Sequence, residues 1–541
     1  MKNSRTGCAL LGACLSVLLT VLPAGCTAPK GSAAPETERA HTPTSQKLLE
    51  AQPQPVSYPL EDAALLTALV PQRYAGDDAG EVFYQVLEAQ TGVRVQYTFL
   101  PEEGFSNGQV YDIIATDPTD LIWTGDTTLA ERLGEDQDVL ELDDYLTEYA
   151  PNYLEWVTRD RQTLSAVLPD EGPILQFYTL WEEPRAEALY GPVIRQDLLK
   201  KYDMVSLETY GDWEEFLRAA KADVSQPLNL NYGAMNEGNW ISAGHDVSIA
   251  FGGGDYGFYQ VDGAVKYGPM EPEYTALMTM LSGWYREGLI GSKFLDFKDF
   301  GGSDYLLKQA MGESAIFFLT GGGRLDSLEA VSEIDGFSAA LLPDPVMEPG
   351  QTTHLAPQRV RPVRSGGFAI LADCESPEAA VRFVDFFYSP EGIELCNYGV
   401  EGTTWEQGAA GPELTEASEL LTQYTNPILA GVYSRQRQCY GVDPVVLEQQ
   451  EIWLTRKDGD WHLPFSIFEL KYQLEYQRGE DTALELYMED LRTYASTVTL
   501  QLIAGERPLS DIPAIQQELR DMSAGECIQI LQEQLDAYYA R

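Results

Sequence analysis

Stretches with helical periodicity alternate with short apolar or β-branched runs along the body of this 541-residue chain. Residues 80–91 have a helical pattern and lead into a strand-like run at 93–97, and residues 314–319 have the pattern of a buried strand. Alternation of this kind is typical of an α/β fold. Because a single hydrophobic core stops growing near roughly 250–300 residues, we expect at least two lobes.

The balance of charge excludes several classes of partner. The chain has 84 Asp and Glu against 36 Lys and Arg, with a formal net charge of −48. A surface that binds nucleic acid needs clustered Lys and Arg, and an anionic lipid surface would repel this chain. We therefore expect no nucleic-acid partner.

Cysteine and histidine patterns argue against a metal enzyme. Only four cysteines follow residue 26 (Cys374, Cys396, Cys439 and Cys527), without CxxC spacing, and the four histidines form neither HxxxH nor HExxH. The acidic stretches at 296–304 and 458–460 lack the twelve-residue EF-hand pattern. The sequence predicts no metal site, no cofactor and no disulfide scaffold.

Residues 1–25 have the layout of a secretory signal. Lys2 and Arg5 precede a nearly apolar run at 8–22. An uncleaved transmembrane anchor would need about 20 apolar residues. Because the run is shorter, we expect an exported chain from which the signal is removed.

The signal ends at Ala24-Gly25-Cys26, which resembles a bacterial lipobox, although Pro23 stands where Leu is usual. That resemblance implies cleavage before Cys26 and acylation of its thiol. Residues 26–55 are rich in Ala, Pro, Thr, Glu and Gln without apolar periodicity, which predicts a flexible tether. The expected location is the extracytoplasmic face of the cell membrane, with a lipid anchor as the membrane contact.

Several passages resemble the extracellular solute-binding proteins of bacterial ABC importers. The most specific is residues 376–392, Ser-Pro-Glu-Ala-Ala-Val-Arg-Phe-Val-Asp-Phe-Phe-Tyr-Ser-Pro-Glu-Gly. The other passages are residues 194–202, 208–213, 311–315, 397–402 and 505–510. The resemblance spans residues 56–541 and is strongest to the large LipO-like oligosaccharide lipoproteins of Gram-positive bacteria.

The resemblance implies a fold and a function. The fold is α/β, with two discontinuous lobes of the periplasmic-binding-protein type II around a ligand cleft. The first lobe is expected at 56–174 plus 337–395, and the second at 175–336 plus 396–541. The implied function is capture of an oligosaccharide and its delivery to the permease subunits of an ABC transporter, by a monomer that is not an enzyme.

A sugar site combines flat aromatic rings with polar groups that bind hydroxyls. Trp123, Thr124 and Asp126 lie on one loop after a strand-like run, and this loop resembles the W-x-x-D loop of maltose-type binding proteins. In this interpretation, Trp123 stacks on the sugar and the Asp126 carboxylate accepts a hydrogen bond from a sugar hydroxyl. Alternatively, Trp123 ends a strand in the core and Asp126 caps the next helix.

The other candidate residues come from five further segments. Residues 236–240 form either a facing wall of the cleft or a solvated loop with one packed Trp. Residues 321–324 bring backbone N–H groups and a guanidinium, unless they form an ordinary glycine-rich loop. Tyr178 and Trp181 either line the cleft or pack the hinge. The candidates outside the Trp123 loop are Tyr178, Glu237, Asn239, Trp240, Tyr256, Gly322, Arg324 and Trp405.

Two other functions compete with transport. A secreted glycoside hydrolase needs two carboxylates about 5–10 Å apart, and a chain this acidic always offers some pair. No nucleophile elbow or other hydrolase motif is present in the sequence. A cell-surface sugar sensor would use the same fold and differ in its partner.

Overall fold

The computed structural model describes most of the chain after residue 42, and the predicted signal at 1–25 and Cys26 lie outside the described residues. The described residues are 43–61, 65–72, 75, 78–106, 108–125, 128–169, 172–182, 190–230, 241–251, 256–291, 294, 303–320, 324–355, 362–408, 411–415, 430–434, 451–455 and 483–540.

Helices and strands alternate through these ranges. The helices are α1 (Pro43–Leu49), α2 (Asp78–Thr91), α3 (Glu102–Ser106), α4 (Gln109–Ile114), α5 (Thr128–Glu135), α6 (Asp143–Tyr149), α7 (Pro151–Val157), α8 (Arg161–Val167), α9 (Gln196–Lys201), α10 (Tyr210–Ala220), α11 (Pro272–Glu287), α12 (Ser303–Ala310), α13 (Arg324–Val331), α14 (Pro377–Phe386), α15 (Pro390–Tyr398), α16 (Ala483–Ala504), α17 (Ile512–Asp521) and α18 (Ala524–Ala540). The strands are β1 (Leu65–Pro71), β2 (Arg94–Leu100), β3 (Leu121–Trp123), β4 (Tyr178–Trp181), β5 (Tyr190–Arg195), β6 (Gln226–Leu228), β7 (Phe258–Val261), β8 (Ala264–Tyr267), β9 (Ser314–Thr320), β10 (Ala339–Leu341), β11 (Val363–Gly366), β12 (Phe368–Ile370), β13 (Trp405–Gly408), β14 (Gly411–Leu414) and β15 (Gly431–Tyr433).

A sheet of order β12-β3-β1-β2 forms the centre of the first lobe. β1 pairs in parallel with β2 from Leu65 opposite Arg94 to Pro71 opposite Leu100, and it pairs in parallel with β3 on its other side. β12 is antiparallel to β3. Because β12 comes from a distant part of the sequence, the first lobe is built from two separate stretches of chain.

A second sheet, of order β10-β5-β9-β6, forms the centre of the second lobe. β9 is antiparallel to β5 and parallel to β6. Its side chains alternate between two cores, with Ile316 and Phe318 on one face and Phe317 and Leu319 on the other. Both faces are covered, which explains the uninterrupted apolar run and confirms the predicted strand at 314–319.

Two strands carry the chain between the lobes. β4 follows the first three strands of the first sheet and precedes β5 of the second, whereas β11 follows β10 and precedes β12 of the first. These two strands pair antiparallel, and β15 joins β4 in parallel, so that β11, β4 and β15 form a third sheet, the crossing sheet. This topology confirms the predicted α/β fold with two discontinuous lobes.

The start of α10 follows its sequence signals closely. Thr209 is the N-cap, and its hydroxyl accepts a hydrogen bond from the Asp212 backbone N–H at 3.1 Å. In return, the Asp212 carboxylate accepts from the Thr209 N–H at 2.7 Å. This reciprocal capping box satisfies backbone donors that the helix cannot pair internally, and it orients Trp213 into the core.

After residue 482 the chain forms α16, α17 and α18, which pack on the core of the second lobe. α16 ends where Gly505 adopts a left-handed φ of 74°. A positive φ at a helix C-terminus favours glycine.

The predicted tether and lobe boundaries differ from the structure at several points. The segment 26–55, expected to be a flexible tether, contains α1, in which Leu48 is 2% exposed and belongs to the core of the first lobe. The first lobe was expected to resume at residue 337, yet β10 pairs with β5 in the second sheet. The backbone hydrogen bonds of β10 thus keep the chain in the second lobe beyond that point.

Two further findings concern the membrane and the thiols. In the part of the chain that the structure describes, no helix is both long and apolar enough to span a bilayer. Cys374, Cys396 and Cys527 are buried free thiols, and Cys439 lies outside the described residues.

Candidate functional site

The loop after β3 lies beside the start of β12, where the first lobe meets the crossing sheet. The Thr124 backbone N–H donates to the Gly367 carbonyl at 2.9 Å, and the Gly366 N–H donates to the Gly125 carbonyl at 3.1 Å. The half-buried Trp123 packs edge-on against Phe105, with ring centres 5.9 Å apart. These bonds fix the predicted Trp123 loop against the strand that returns from the second lobe.

Gly125 determines where the Trp123 ring lies. Gly125 has a left-handed φ of 60°, and the indole of Trp123 folds back onto it, so that a Cβ atom there would collide with the ring. Because glycine has no Cβ, both this backbone conformation and the close approach are available. The predicted candidate Asp126, next along this loop, lies outside the described residues.

Thr124 connects this loop to the strand that crosses to the second lobe. Its hydroxyl donates to the Gln176 side-chain oxygen and lies 3.1 Å from the Gly367 carbonyl oxygen. The Gln176 side chain in turn bonds the Tyr178 hydroxyl, and burial raises the pKa of Tyr178 to about 12. Tyr178 is therefore a neutral hydrogen-bonding group at physiological pH, and it belongs to the core of the first lobe.

The outer end of the crossing sheet carries two aromatic rings and a guanidinium. Tyr433 pairs with Trp181 across the parallel strands, with ring centres 5.0 Å apart at 85°. The Arg364 guanidinium carbon lies 4.6 Å from the Tyr433 ring centre and 5.6 Å from that of Trp181. All three side chains are half-buried. We call Trp181, Arg364 and Tyr433 the crossing cluster.

Neighbouring groups fix the backbone of this cluster. Arg159 donates from its guanidinium to the Trp181 carbonyl at 2.9 Å and to the Glu182 carbonyl at 2.7 Å. On the other edge, the Asn397 amide donates to the Val432 carbonyl at 2.8 Å and accepts from the Ser434 N–H at 2.9 Å. The rings are therefore held on a rigid strand backbone, as a preorganised binding surface requires.

The arrangement suits a polar ligand with apolar faces. Flat rings offer area for stacking, and an arginine fork offers several N–H donors in fixed directions. The cluster lies on the strands through which the chain passes between the lobes.

The remaining predicted residues lie elsewhere or outside the described residues. Tyr256 packs in the core of the second lobe, with the Arg492 guanidinium 5.4 Å from its ring centre. Trp405 is 3% exposed and donates from its indole N–H to the Gly399 carbonyl at 3.3 Å. Arg324 begins α13, but its side chain is not described. Glu237, Asn239, Trp240 and Gly322 lie outside the described residues.

The sequence brought Trp123, Thr124 and Tyr178 forward, and the structure places these three around one loop. The sequence did not identify Arg364 or Tyr433 as candidates. For Trp181, the sequence left two possibilities open, lining the cleft and packing the hinge. Their strand patterns were the available signal, because aromatic and β-branched residues favour strands. That signal does not reveal which strands become neighbours.

Acidic, histidine and cysteine side chains do not converge on a cation site within the described ranges. The predicted acidic loop at 458–460 and most of that at 296–304 lie outside those ranges. The crossing cluster itself supplies N–H hydrogen-bond donors and aromatic rings, which suit organic ligands rather than metal ions.

The profile of the bacterial extracellular solute-binding protein family matches residues 75–394. This match includes the sheet of the second lobe, the strands β2, β3 and β12 of the first, and the strands β4 and β11 between the lobes. No curated protein matches the sequence significantly.

Three solved structures illustrate the similarity in fold. An extracellular solute-binding protein from Bifidobacterium longum subsp. infantis matches with a TM-score of 0.66 at 15% identity, covering 89% of this chain and 100% of that one. An HMO-binding, ABC-transporter-associated solute-binding protein from Bifidobacterium longum infantis matches with a TM-score of 0.63, at the same identity and coverage. The S. pneumoniae ABC-transporter substrate-binding protein FusA, as an EF-hand mutant with fructo-nystose, matches with a TM-score of 0.58 at 16% identity, covering 88% of this chain and 100% of that one.

Proposed function

Because the chain belongs to the bacterial extracellular solute-binding protein family, we propose that it captures an oligosaccharide outside the cytoplasm and delivers it to an ABC transporter. Two of the similar structures are of proteins described as HMO-binding or bound to fructo-nystose, which supports a sugar as the solute. The protein binds and releases this solute without breaking a bond in it.

The observation that carries the proposal is the crossing cluster. Trp181 and Tyr433 stand side by side at 5.0 Å, with the Arg364 guanidinium against both rings. A pyranose ring has an apolar face that stacks on indole or phenol, and its hydroxyls accept hydrogen bonds from a guanidinium. Trp123 and Thr124, on the loop bonded to β12, extend the same site toward the first lobe.

Affinity comes from closing the two lobes over the sugar. Closure removes water from around the rings and hydroxyls, which strengthens each polar contact. The permease subunits then distinguish the loaded protein from the empty one by its closed shape. We include Asp126, Glu237, Asn239, Trp240, Tyr256, Gly322, Arg324 and Trp405 as further residues to test for contact with the sugar.

The tether belongs to the same proposal. Acylation of Cys26 would hold the protein at the extracytoplasmic face of the membrane, close to the permease. The predicted tether after Cys26 reaches α1, where the chain becomes part of the first lobe. The anchored protein would then be free to reorient while staying near its transporter.

A thermal-shift panel tests both binding and the absence of catalysis. The protein is melted with each of a set of oligosaccharides, and each sugar is analysed afterwards for cleavage. A ligand at about 100 times its Kd adds roughly 2.7 kcal/mol of stability, a shift of a few degrees. Sugar recovered intact after a clear shift supports transport, whereas cleaved sugar would establish a hydrolase, and a flat panel would reject oligosaccharides.

The Trp181→Ala variant connects any shift to the crossing cluster. Loss of a central aromatic contact costs about 2 kcal/mol, or roughly thirtyfold in Kd. Tyr487→Ala is the matched control, because Tyr487 is an exposed ring on α16. Calorimetric titration of both variants gives the comparison, and wild-type affinity in Trp181→Ala would remove the cluster from the site.

A further inference from the structure

Residues 43–61 form a strap that lies across the first lobe before β1 begins. Lys47 forms an ion pair with Asp144 of α6 at 2.7 Å. The Gln54 backbone N–H donates to the Glu148 carbonyl at 2.9 Å, and the Leu60 N–H donates to the Thr91 carbonyl at 2.9 Å. The strap is thus attached at points along its whole length, between the predicted membrane tether and the lobe.

Tyr58 connects the strap to a buried carboxyl group of the first lobe. Its ring packs edge-on against Phe386 at 5.0 Å, and its hydroxyl donates to the Arg382 backbone carbonyl at 2.7 Å. The same hydroxyl oxygen lies 3.3 Å from Oδ2 of Asp385. Asp385 lies on α14 and is 0% exposed.

The hydrogen atoms around Asp385 can be counted. Oδ1 accepts from the Tyr153 backbone N–H at 2.8 Å, and Oδ2 accepts from the Asn152 amide at 2.7 Å. Tyr58 has a single hydroxyl proton, and the shorter bond to the Arg382 carbonyl uses it. The 3.3 Å contact between Tyr58 and Asp385 therefore lacks a proton unless Asp385 supplies one.

We propose that the docked strap holds Asp385 as a neutral carboxylic acid that donates its proton from Oδ2 to the Tyr58 hydroxyl, so that acidification tightens the strap on the first lobe. When Asp385 loses this proton to solvent, its carboxylate and the Arg382 carbonyl compete for the one proton of Tyr58. One of the two contacts with the Tyr58 hydroxyl then lacks a proton in a buried place, which weakens docking.

The surroundings of Asp385 favour the neutral form. Its hydrogen-bond donors are neutral groups, namely a side-chain amide and peptide N–H groups, and the Tyr58 phenol beside it is also neutral. Burial raises the pKa of Asp385 to about 7, although these hydrogen bonds oppose the shift. The titratable and charged groups around this site are Tyr58 on the strap, Glu148 and Tyr149 on α6, Tyr153 on α7, Glu378 and Arg382 on α14, and Tyr388 after it.

The direction of the pH effect follows from linkage. Undocking lets water reach Asp385, so its pKa falls toward the ordinary value near 4. Between about pH 4 and pH 7 the docked state then binds more protons than the undocked state. Docking therefore strengthens as the pH falls through this window, by at most about tenfold per pH unit, and is constant above it. Full release of the strap would extend the tether by up to roughly 60 Å.

Hydrogen exchange of the full-length chain measures strap docking directly. Exchange rates of peptides from the strap are recorded at pH 5, 6, 7 and 8 and divided by the intrinsic rate at each pH. We expect protection to rise at least tenfold from pH 7 to pH 5 and to change little from pH 7 to pH 8. Peptides from the buried strand β9 should show no such trend.

Two substitutions decide whether Asp385 and Tyr58 are responsible. Asp385→Asn cannot ionise and should give a flat profile. Tyr58→Phe should lower the protection of strap peptides at pH 5 and remove most of its dependence on pH. Tyr149→Phe, on neighbouring α6, should keep the wild-type dependence. A flat wild-type profile, or a wild-type slope in Asp385→Asn, would overturn the proposal. If Asp385→Asn does not fold, a wild-type dependence of protection on pH in Tyr58→Phe would also overturn the proposal.

Discussion

The two faces of the crossing sheet are made by the same three strands but have opposite character. On one face, Tyr178, Leu180 and Val432 belong to the core of the first lobe. On the other, Trp181 and Tyr433 are half-buried and have a guanidinium beside them. Because neighbouring residues of a strand point to opposite faces, one peptide bond separates a residue that stabilises the lobe from one that we propose contacts the sugar. Stability and binding should therefore be separable on this sheet.

Leu180→Ala should give the largest effect on the core face. Leu180 is 0% exposed, and truncating a fully buried leucine costs about 2–5 kcal/mol through lost burial and the cavity left behind. Urea unfolding measures this loss. The remaining folded protein should bind its sugar with the wild-type Kd, and a large change in Kd would show that the two faces are coupled.

Gly125→Ala tests how the Trp123 loop is held beside the sheet. Alanine at the left-handed φ of 60° costs roughly 1–2 kcal/mol, and its methyl group would also displace the Trp123 ring. Gly172→Ala is the matched control, because Gly172 also has a positive φ, of 87°, but a Cβ there would meet open space. The difference in thermal stability between the two variants measures the collision of the methyl group with the Trp123 ring. Equal losses of stability would mean that the position of this ring does not affect stability.

Much of the fold was predictable because its signals are local. The apolar run of β9 depends on residues a few positions apart, and this strand is confirmed. The packed α1 was missed, since its link to the core depends mainly on Leu48 in a stretch of tether-like composition. A single apolar residue gives no periodicity from which burial can be predicted.

The crossing cluster was less predictable because it depends on how distant strands pair. Trp181 and Tyr433 meet only through the parallel register of β4 and β15. Arg364 sits where the pairing of β11 with β4 shifts between Val363 and Ser365, so simple alternation does not give its direction. Neither fact can be read from residue types along the chain.

Arg364→Lys should give the smallest effect and the sharpest test of the exposed face. Lysine keeps the positive charge but loses the planar fork that packs on two rings and donates in fixed directions. We expect sugar affinity to fall about three- to tenfold, or roughly 1 kcal/mol, with little change in thermal stability. Arg218→Lys is the control, because Arg218 is exposed on α10 and pairs with Glu287. A loss of stability without a loss of affinity would instead make Arg364 a structural support of the crossing sheet, and would leave stacking on Trp181 and Tyr433 as the whole of the binding chemistry on this face.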